Sequence, residues 1–447
     1  MNRVRLIHPR WIAPVAGDRP VLTGHAVALA GERIVAVGPA AELAARHPDA
    51  PVTALPEHLL IPGLVNAHTH AAMTLLRGAG DDLPLEDWLK RRIWPLERAL
   101  VSDAFVYDGT VLACQEMLLS GITCFSDMYF FPEAAARAAL DLRMRAAIGL
   151  VVFDAPSAYG SGPSDYLSKG LALRDALADQ PLLSFALAPH APYTVSDATF
   201  GRIASLGAEL EVPIVTHVHE TQDEIERSLA EHGLRPLERL ERLGLLGPDF
   251  VAIHAVRMDE TDIGRLARAG ASAVHCPHSN LKLAAGIAPV CAMHRAGINI
   301  AIGTDGAASN NRLDLLAEGR LAALLAKVGS GDAAAFDAHQ VLAALTRGGA
   351  AAVGLADRIG SIEAGKLADL VAVDLSAPQD GPVLDPVATL IHTSGRQAVT
   401  DVWVAGEHVV SERQITSPLS RQAVGTVVGR SPLWHNRLGE FVSGRED

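Results

Sequence analysis

The sequence predicts an α/β protein: a (β/α)8 TIM-like barrel with a small discontinuous β-sandwich domain built from both termini. Three observations predict it. Eight short hydrophobic runs alternate with amphipathic helical stretches through the middle of the chain. Both ends are instead rich in short β-like runs broken by turns. Histidines and carboxylates crowd the C-terminal ends of the hydrophobic runs, the edge where such barrels carry their chemistry.

In chain order, residues 1–58 hold the β-like runs Val4–Ile7, Val21–Leu29 and Arg33–Val37, with Gly31-Glu32 placed as a hairpin turn. The barrel is expected over 59–365. Its runs are Leu59–Asn66, Ile122–Asp127, Ala146–Phe153, Leu182–His190, Pro213–Glu220, Phe250–Val256, Ser272–Cys276 and Ile298–Asp305. They read as near-continuous apolar stretches because parallel strands are buried on both faces. Helical patterns follow most of them, among them Val101–Ser120, Pro132–Leu142, Asp197–Glu209 and Glu260–Ala269. Residues 366–447 return to β character at Leu370–Asp374, Ala398–Val404 and His408–Ser411, the last two around Gly406. The stretch after about Gln422 is loosely patterned and reads as an oligomer arm or a disordered tail.

Composition sets limits on partners. Hydrophobic residues are 49% of 447, enough for a large core, while only 4% are aromatic, so that core is mainly aliphatic. The 38 basic residues are outnumbered by 51 acidic ones, a net charge of −13 that argues against nucleic acid as partner. Cys114, Cys124, Cys276 and Cys291 form no C-x-x-C pair and no disulfide framework. No signal-type apolar segment opens the chain, and no apolar stretch is long enough to span a membrane. A cytoplasmic protein without a membrane partner is expected.

The strand ends carry the chemistry. Eight of the 18 histidines lie there. His68 and His70 are two apart, so on a strand they share a face and can converge on one metal. A third nitrogen from His217 and a carboxylate from Asp305 would complete a set suited to Zn²⁺, with Fe²⁺ or Mn²⁺ as alternatives. The fourth run has no lysine to bridge a second ion, so one metal per chain is expected. Glu220 is placed to shuttle protons, or else to stabilise the next helix N-terminus. His254 would orient the attacking water, or else be a core histidine bonded to backbone. His219 shares the strand face of His217 and is read as supporting the ligands rather than joining them. The run His275-Cys276-Pro277-His278 is read as structural, Asp127 as a backbone partner, and Cys114 and Cys124 as core.

Longer motifs then point to a family. They include Pro62-Gly63-Leu64-Val65-Asn66-Ala67-His68-Thr69-His70, Leu76-Arg77-Gly78, Ile93-Trp94-Pro95-Leu96-Glu97, Ala188-Pro189-His190-Ala191-Pro192-Tyr193, Thr216-His217-Val218-His219-Glu220-Thr221 and Cys276-Pro277-His278-Ser279-Asn280-Leu281-Lys282-Leu283. From about residue 3 to 425 the chain resembles the amidohydrolase superfamily, and within it the 5′-methylthioadenosine/S-adenosylhomocysteine deaminase family, next to the triazine hydrolases. The resemblance implies a metal on His68, His70, His217 and Asp305. It implies substrate contacts from Glu97 at the ribose hydroxyls, His190 at the purine, Glu220, Asp305, and Ser309 near the ribose. It implies hydrolytic deamination of an adenine nucleoside and a homo-oligomer. One departure bears on substrate: Asp154–Leu173 contains no arginine to grip an amino-acid carboxylate. 5′-Methylthioadenosine is therefore the expected first substrate, with S-adenosylhomocysteine and adenosine secondary. The rival readings are a triazine- or guanine-type hydrolase and a non-catalytic binding barrel.

Overall fold

The computed structural model describes residues 3–17 and 20–443. Eight parallel strands form the central ladder in chain order: β1 (Leu64–Thr69), β2 (Ile122–Asp127), β3 (Arg145–Val152), β4 (Leu183–Pro189), β5 (Ile214–Val218), β6 (Phe250–His254), β7 (Ser272–His275) and β8 (Asn299–Ile302). Nearly all their residues are buried, because helices cover the outside and side chains fill the inside. The seam between β8 and β1 is closed by individual bonds. Asp305 N–H donates to His68 O at 3.0 Å. The Asn66 amide clasps Thr304, accepting from its N–H at 3.0 Å and donating to its hydroxyl at 2.8 Å. Gly303 lies in this seam, where a Cβ would stand 2.8 Å from His68 O, so no larger residue fits.

The crossover helices begin where their caps dictate. Ser102 accepts from Phe105 N–H ahead of Asp103–Leu119, and Ser196 from Thr199 N–H ahead of Asp197–Leu210. Asp259 and Asp262 form a reciprocal capping box on Glu260–Ala269, which ends at Gly270 in the left-handed conformation, φ +68°.

The chain ends build one nine-stranded mixed sheet. The N-terminal part supplies Val4–Ile12, Leu22–Thr23, His25–Ala30, Arg33–Pro39 and Val52–Pro62; the C-terminal part supplies Leu370–Asp374, Val399–Val404, Glu407–Ser411 and Gln414–Ile415. Val52–Pro62 joins the two parts, parallel to Val4–Ile12 and antiparallel to Leu370–Asp374. The sheet folds over a core containing Ile7, Val27, Leu29, Ile34, Leu60 and Trp403. The tips of two hairpins meet there, and a Cβ on Gly406 would stand 2.2 Å from Gly31 O.

Two sequence expectations change. The first run, Leu59–Asn66, is not one strand: Leu59–Pro62 pair in the mixed sheet, and the barrel strand starts at Leu64. Gly63 divides them, its N–H donating to Asp369 O at 2.8 Å and its α-carbon pressed against Thr123. The stretch after Gln422 is, as far as Ser443, not an unstructured tail but part of a helix, Pro418–Ser443, packed on Asp103–Leu119; residues 444–447 lie outside the described residues. Trp434 Nε1 donates to the buried Asp108 at 2.9 Å, and Arg430 donates to the other carboxylate oxygen. The sheet is locked to the barrel by a buried pair: Arg145 on β3 donates to both Asp369 oxygens, at 2.8 and 3.0 Å.

Candidate active site

The C-terminal face of the barrel gathers the predicted residues. His68 Nε2 lies 3.2 Å from His217 Nε2 and 3.4 Å from Asp305 Oδ1, and His70 Nε2 lies 3.3 Å from the same oxygen. Donor atoms bound tetrahedrally at about 2.0–2.1 Å from one centre would stand about 3.3–3.4 Å apart, and these three contacts have that spacing; among the described residues two triads could hold a metal, His68–His70–Asp305 and His68–His217–His254, with His68 common to both. Burial pulls the His68 imidazole down to about 4 and holds His217 well below its ordinary value, so both keep lone pairs free. Burial works to raise the Asp305 carboxyl, but its bond with His68 and the closeness of His70 and His254 hold it well below the usual range. Each side chain is fixed from behind. His70 Nδ1 meets Met128 O at 2.5 Å, and His217 Nδ1 meets His190 O at 2.7 Å. Asp305 Oδ2 accepts from Ser279 at 2.6 Å and Ser309 at 2.8 Å.

These strand ends are also strained. His219, His254, Ala255 and Asp305 have φ of +58°, +72°, +46° and +59°, a region that non-glycine residues occupy at a cost. For His254 and Asp305 that backbone turns the side chain into the barrel mouth. For His219 it does the reverse. The strand stops at Val218, the two-residue alternation breaks, and the His219 ring leaves the face of His217. It is fully buried, with Nε2 accepting from Leu237 N–H at 3.0 Å and Nδ1 3.2 Å from Arg257 O.

Beside the cluster lies a cavity of about 650 Å³, whose lining includes His70, His190, His217, Glu220, His254, Asp305 and Glu97. Glu220 is 6% exposed, and burial raises its carboxyl. Its Oε1 lies 3.8 Å from His254 Nε2. Burial acts to lower the His254 imidazole, but Glu220, Asp305 and a bond to Asn280 together raise it. Glu97 accepts from Tyr129 Oη at 2.8 Å, and burial pushes its carboxyl up to about 7. His190 stacks on Phe153 at 4.4 Å between ring centroids, and its Nδ1 lies 3.0 Å from Thr194 Oγ1. Ser309 does not line the cavity. Its hydroxyl lies 2.8 Å from Asp305 Oδ2 and 3.2 Å from Gly306 O, where it supports the carboxylate.

Asp127 accepts from Ala71 N–H at 2.8 Å, and the His278 ring pairs with Glu318 at 2.8 Å. Sequence reasoning missed Glu224, whose two oxygens accept from the N–H groups of His219 and Glu220 at 2.9 and 2.8 Å. It holds the turn that presents Glu220. The signal was there in Thr221-Gln222-Asp223-Glu224, a capping-box pattern opening the helix Gln222–His232. Tyr129, Ser279 and Asn280 were also missed as partners of the site.

Known proteins share this arrangement. The amidohydrolase family model matches residues 59–409, and a model of an imidazolonepropionase-like composite domain from bacteria matches residues 26–50. A 5-methylthioadenosine/S-adenosylhomocysteine deaminase of Teredinibacter turnerae is 46% identical over 96% of this chain and 96% of its own. A 5′-deoxyadenosine deaminase of Methanopyrus kandleri is 41% identical over 80% of this chain and 82% of its own. Among solved structures, an adenosine deaminase from Xanthomonas campestris with bound zinc superposes with a TM-score of 0.94 and 46% identity, covering 97% of this chain and 98% of that one.

Proposed function

This chain belongs to the amidohydrolase family, and we propose that it is a metal-dependent deaminase of adenine nucleosides that prefers 5′-methylthioadenosine. The observation that carries this reading is the cavity itself. It is lined by the histidines and Asp305 of both metal-competent triads except His68, together with Glu220 and with Glu97, a carboxylate that would accept from ribose hydroxyls. The deaminase names of the relatives support the same chemistry.

His68, His70, His217 and Asp305 would hold the ion, zinc being the first choice for three imidazoles and one carboxylate. When bound, the metal lowers the pKa of a water towards neutrality. The chain supplies the rest. Asp305 and His254 would orient the attacking water towards C6 of the adenine. Glu220 would take the proton that this water gives up and pass it to the neighbouring ring nitrogen as the C6–O bond forms. It recovers a proton from the added hydroxyl and passes it to the amino group, which leaves as ammonia when the C6–N bond breaks. His190 holds the purine, and Glu97 accepts from the ribose hydroxyls.

The 5′ tail supports the finer choice. Phe130, Phe153, Tyr166, Ala155, Pro156 and Ala158 line the cavity beside His190. Two arginines line it as well: Arg98, on the helix Trp94–Leu100, and Arg239, which donates to Asp197 and to the carbonyls of Pro192 and Val195. Lys169 is tied to Tyr159 O and Asp165. A thiomethyl group suits the apolar part of this wall, and a carboxylate buried against it, out of reach of Arg98, would bind poorly. We place the enzyme in the cytoplasm; no helix among the described residues is long and apolar enough to cross a membrane.

The test is ultraviolet monitoring of adenine-to-hypoxanthine conversion on 5′-methylthioadenosine, S-adenosylhomocysteine and adenosine. The highest kcat/KM is expected for 5′-methylthioadenosine. A value for S-adenosylhomocysteine that equals or exceeds it overturns the reading of the tail. No conversion of any of the three overturns the nucleoside reading and favours a triazine- or guanine-type substrate.

A further inference from the structure

Strands β6, β7 and β8 lie side by side with β7 in the middle. The two outer strands lead into His254 and Asp305, which face the cavity. The central one ends in His275, which is buried and does not line it. After β7 comes a short helix, Pro277–Lys282, carrying Ser279 and Asn280, both fully buried. Polar side chains without solvent are retained with partners. Consecutive residues on a helix point about 100° apart, so one adjacent pair can address both flanking strands.

These two do so. Ser279 Oγ donates to Asp305 Oδ2 at 2.6 Å. On the other side, Asn280 Oδ1 lies 2.8 Å from His254 Nδ1, while Asn280 Nδ2 is turned towards His275 Nδ1 at 3.5 Å. An amide oxygen only accepts, so a neutral His254 must carry its proton on Nδ1. Its Nε2 then offers a lone pair on the side of Glu220, whose Oε1 is 3.8 Å away. The opposite amide orientation would put a donor against Nδ1 and force the proton onto Nε2, leaving that nitrogen unable to accept a hydrogen from the attacking water.

We propose that Ser279 and Asn280 are a pair of positioning residues with separate tasks. Ser279 aims the Asp305 carboxylate at the metal site, and Asn280 locks His254 in the tautomer whose Nε2 accepts from the nucleophile. Neither touches substrate. The proposal rests on the roles given above to Asp305 and His254, but not on which nucleoside is turned over.

Neutron crystallography of the wild-type holoenzyme tests the tautomer directly: deuterium is expected on His254 Nδ1 and not on Nε2, and deuterium on Nε2, alone or together with Nδ1, overturns the assignment. Asn280→Ala should lower kcat about tenfold or more at unchanged KM and unchanged zinc content, and Asn280→Asp, which can still accept, should recover most of that loss. An Asp variant as impaired as the Ala variant, or a change confined to KM, overturns the role of Asn280. Ser279→Ala should weaken Zn²⁺ binding about 10–100-fold in competition with a chelator, while Asn280→Ala leaves it unchanged. Equal zinc affinity in wild type and Ser279→Ala overturns the role of Ser279. The neutron and zinc-affinity measurements stand even if the nucleoside assays are all negative, so the two failures can be told apart.

Discussion

Replacing Glu97 by glutamine should weaken ribose recognition and abolish its pH dependence. The carboxyl is pushed up to about 7 by burial, with the Tyr129 bond working in the opposite direction. Tyr129 uses one oxygen, which leaves acceptor capacity for ribose hydroxyls. A hydrogen bond to a charged group is worth about 1.5–3 kcal/mol, so losing one should raise Kd about 10- to 150-fold at pH 8. The sign of the pH effect comes from the raised pKa. The anion is present above about 7 and is lost as pH falls through that value, so wild-type affinity should drop about tenfold per pH unit below it. Glutamine has no such transition, so its curve should be flat. Tyr129→Phe removes the bond that opposes burial and should move the midpoint upward. Calorimetry with the product, 5′-methylthioinosine, from pH 6 to 8.5 reads both effects without turnover. 2′,3′-Dideoxyinosine, which lacks the hydroxyls, isolates Glu97 from every other titrating group. If Glu97→Gln binds the product within twofold of wild type at pH 8, or shows the wild-type slope, Glu97 does not hold the ribose.

Glu220→Gln should keep about one equivalent of metal by elemental analysis and lose about 10²–10⁴-fold in kcat; near-normal turnover would remove Glu220 from proton transfer. Arg145→Ala leaves Asp369 buried with its charge uncompensated and should lose about 3–5 kcal/mol in denaturant unfolding, whereas Arg145→Met with Asp369→Leu should lose clearly less. Gly303→Ala forces a methyl against His68 O and should cost about 1–3 kcal/mol together with much of the metal affinity; an unperturbed variant would show that the β8–β1 seam does not set the ligands.

The barrel was legible because parallel strands are buried on both faces and the helices between them are amphipathic. His68 and His70 were legible as a pair because they stand two apart at the end of β1, and both rings come within 3.4 Å of Asp305 Oδ1 although the β1–β2 pairing is irregular between Asn66 and Thr69. The first boundary was not legible for the same physical reason. Leu59–Asn66 is a continuous apolar run, and a strand in the mixed sheet and a strand in the barrel are equally apolar. Only Gly63 marks the division, and its meaning depends on Thr123 and Asp369, far away in sequence. The C-terminal helix did have a signal. Val424, Val427, Trp434, Leu438 and Phe441 recur at helical spacing and form its inner face. It was obscured by Pro432 and three glycines within the helix, residues that normally break the pattern.

His217 and His219 show why the rest of the site could not be read off the chain. Alternation gives both the same face, yet one lies with the metal donors and the other packs against Leu237. The difference is a single backbone rotation at His219, and Glu224 helps hold it by accepting from the N–H groups of His219 and Glu220. A periodic rule describes a strand only while the strand lasts, and the chemistry begins where it stops. Beyond that point side-chain direction is set by long-range bonds: Ser279 and Ser309 to Asp305, Asn280 to His254, Tyr129 to Glu97. Ligand identity is therefore local information, whereas ligand aim is tertiary. A relative that kept every histidine and carboxylate but lost these supports would retain the motif and lose the geometry.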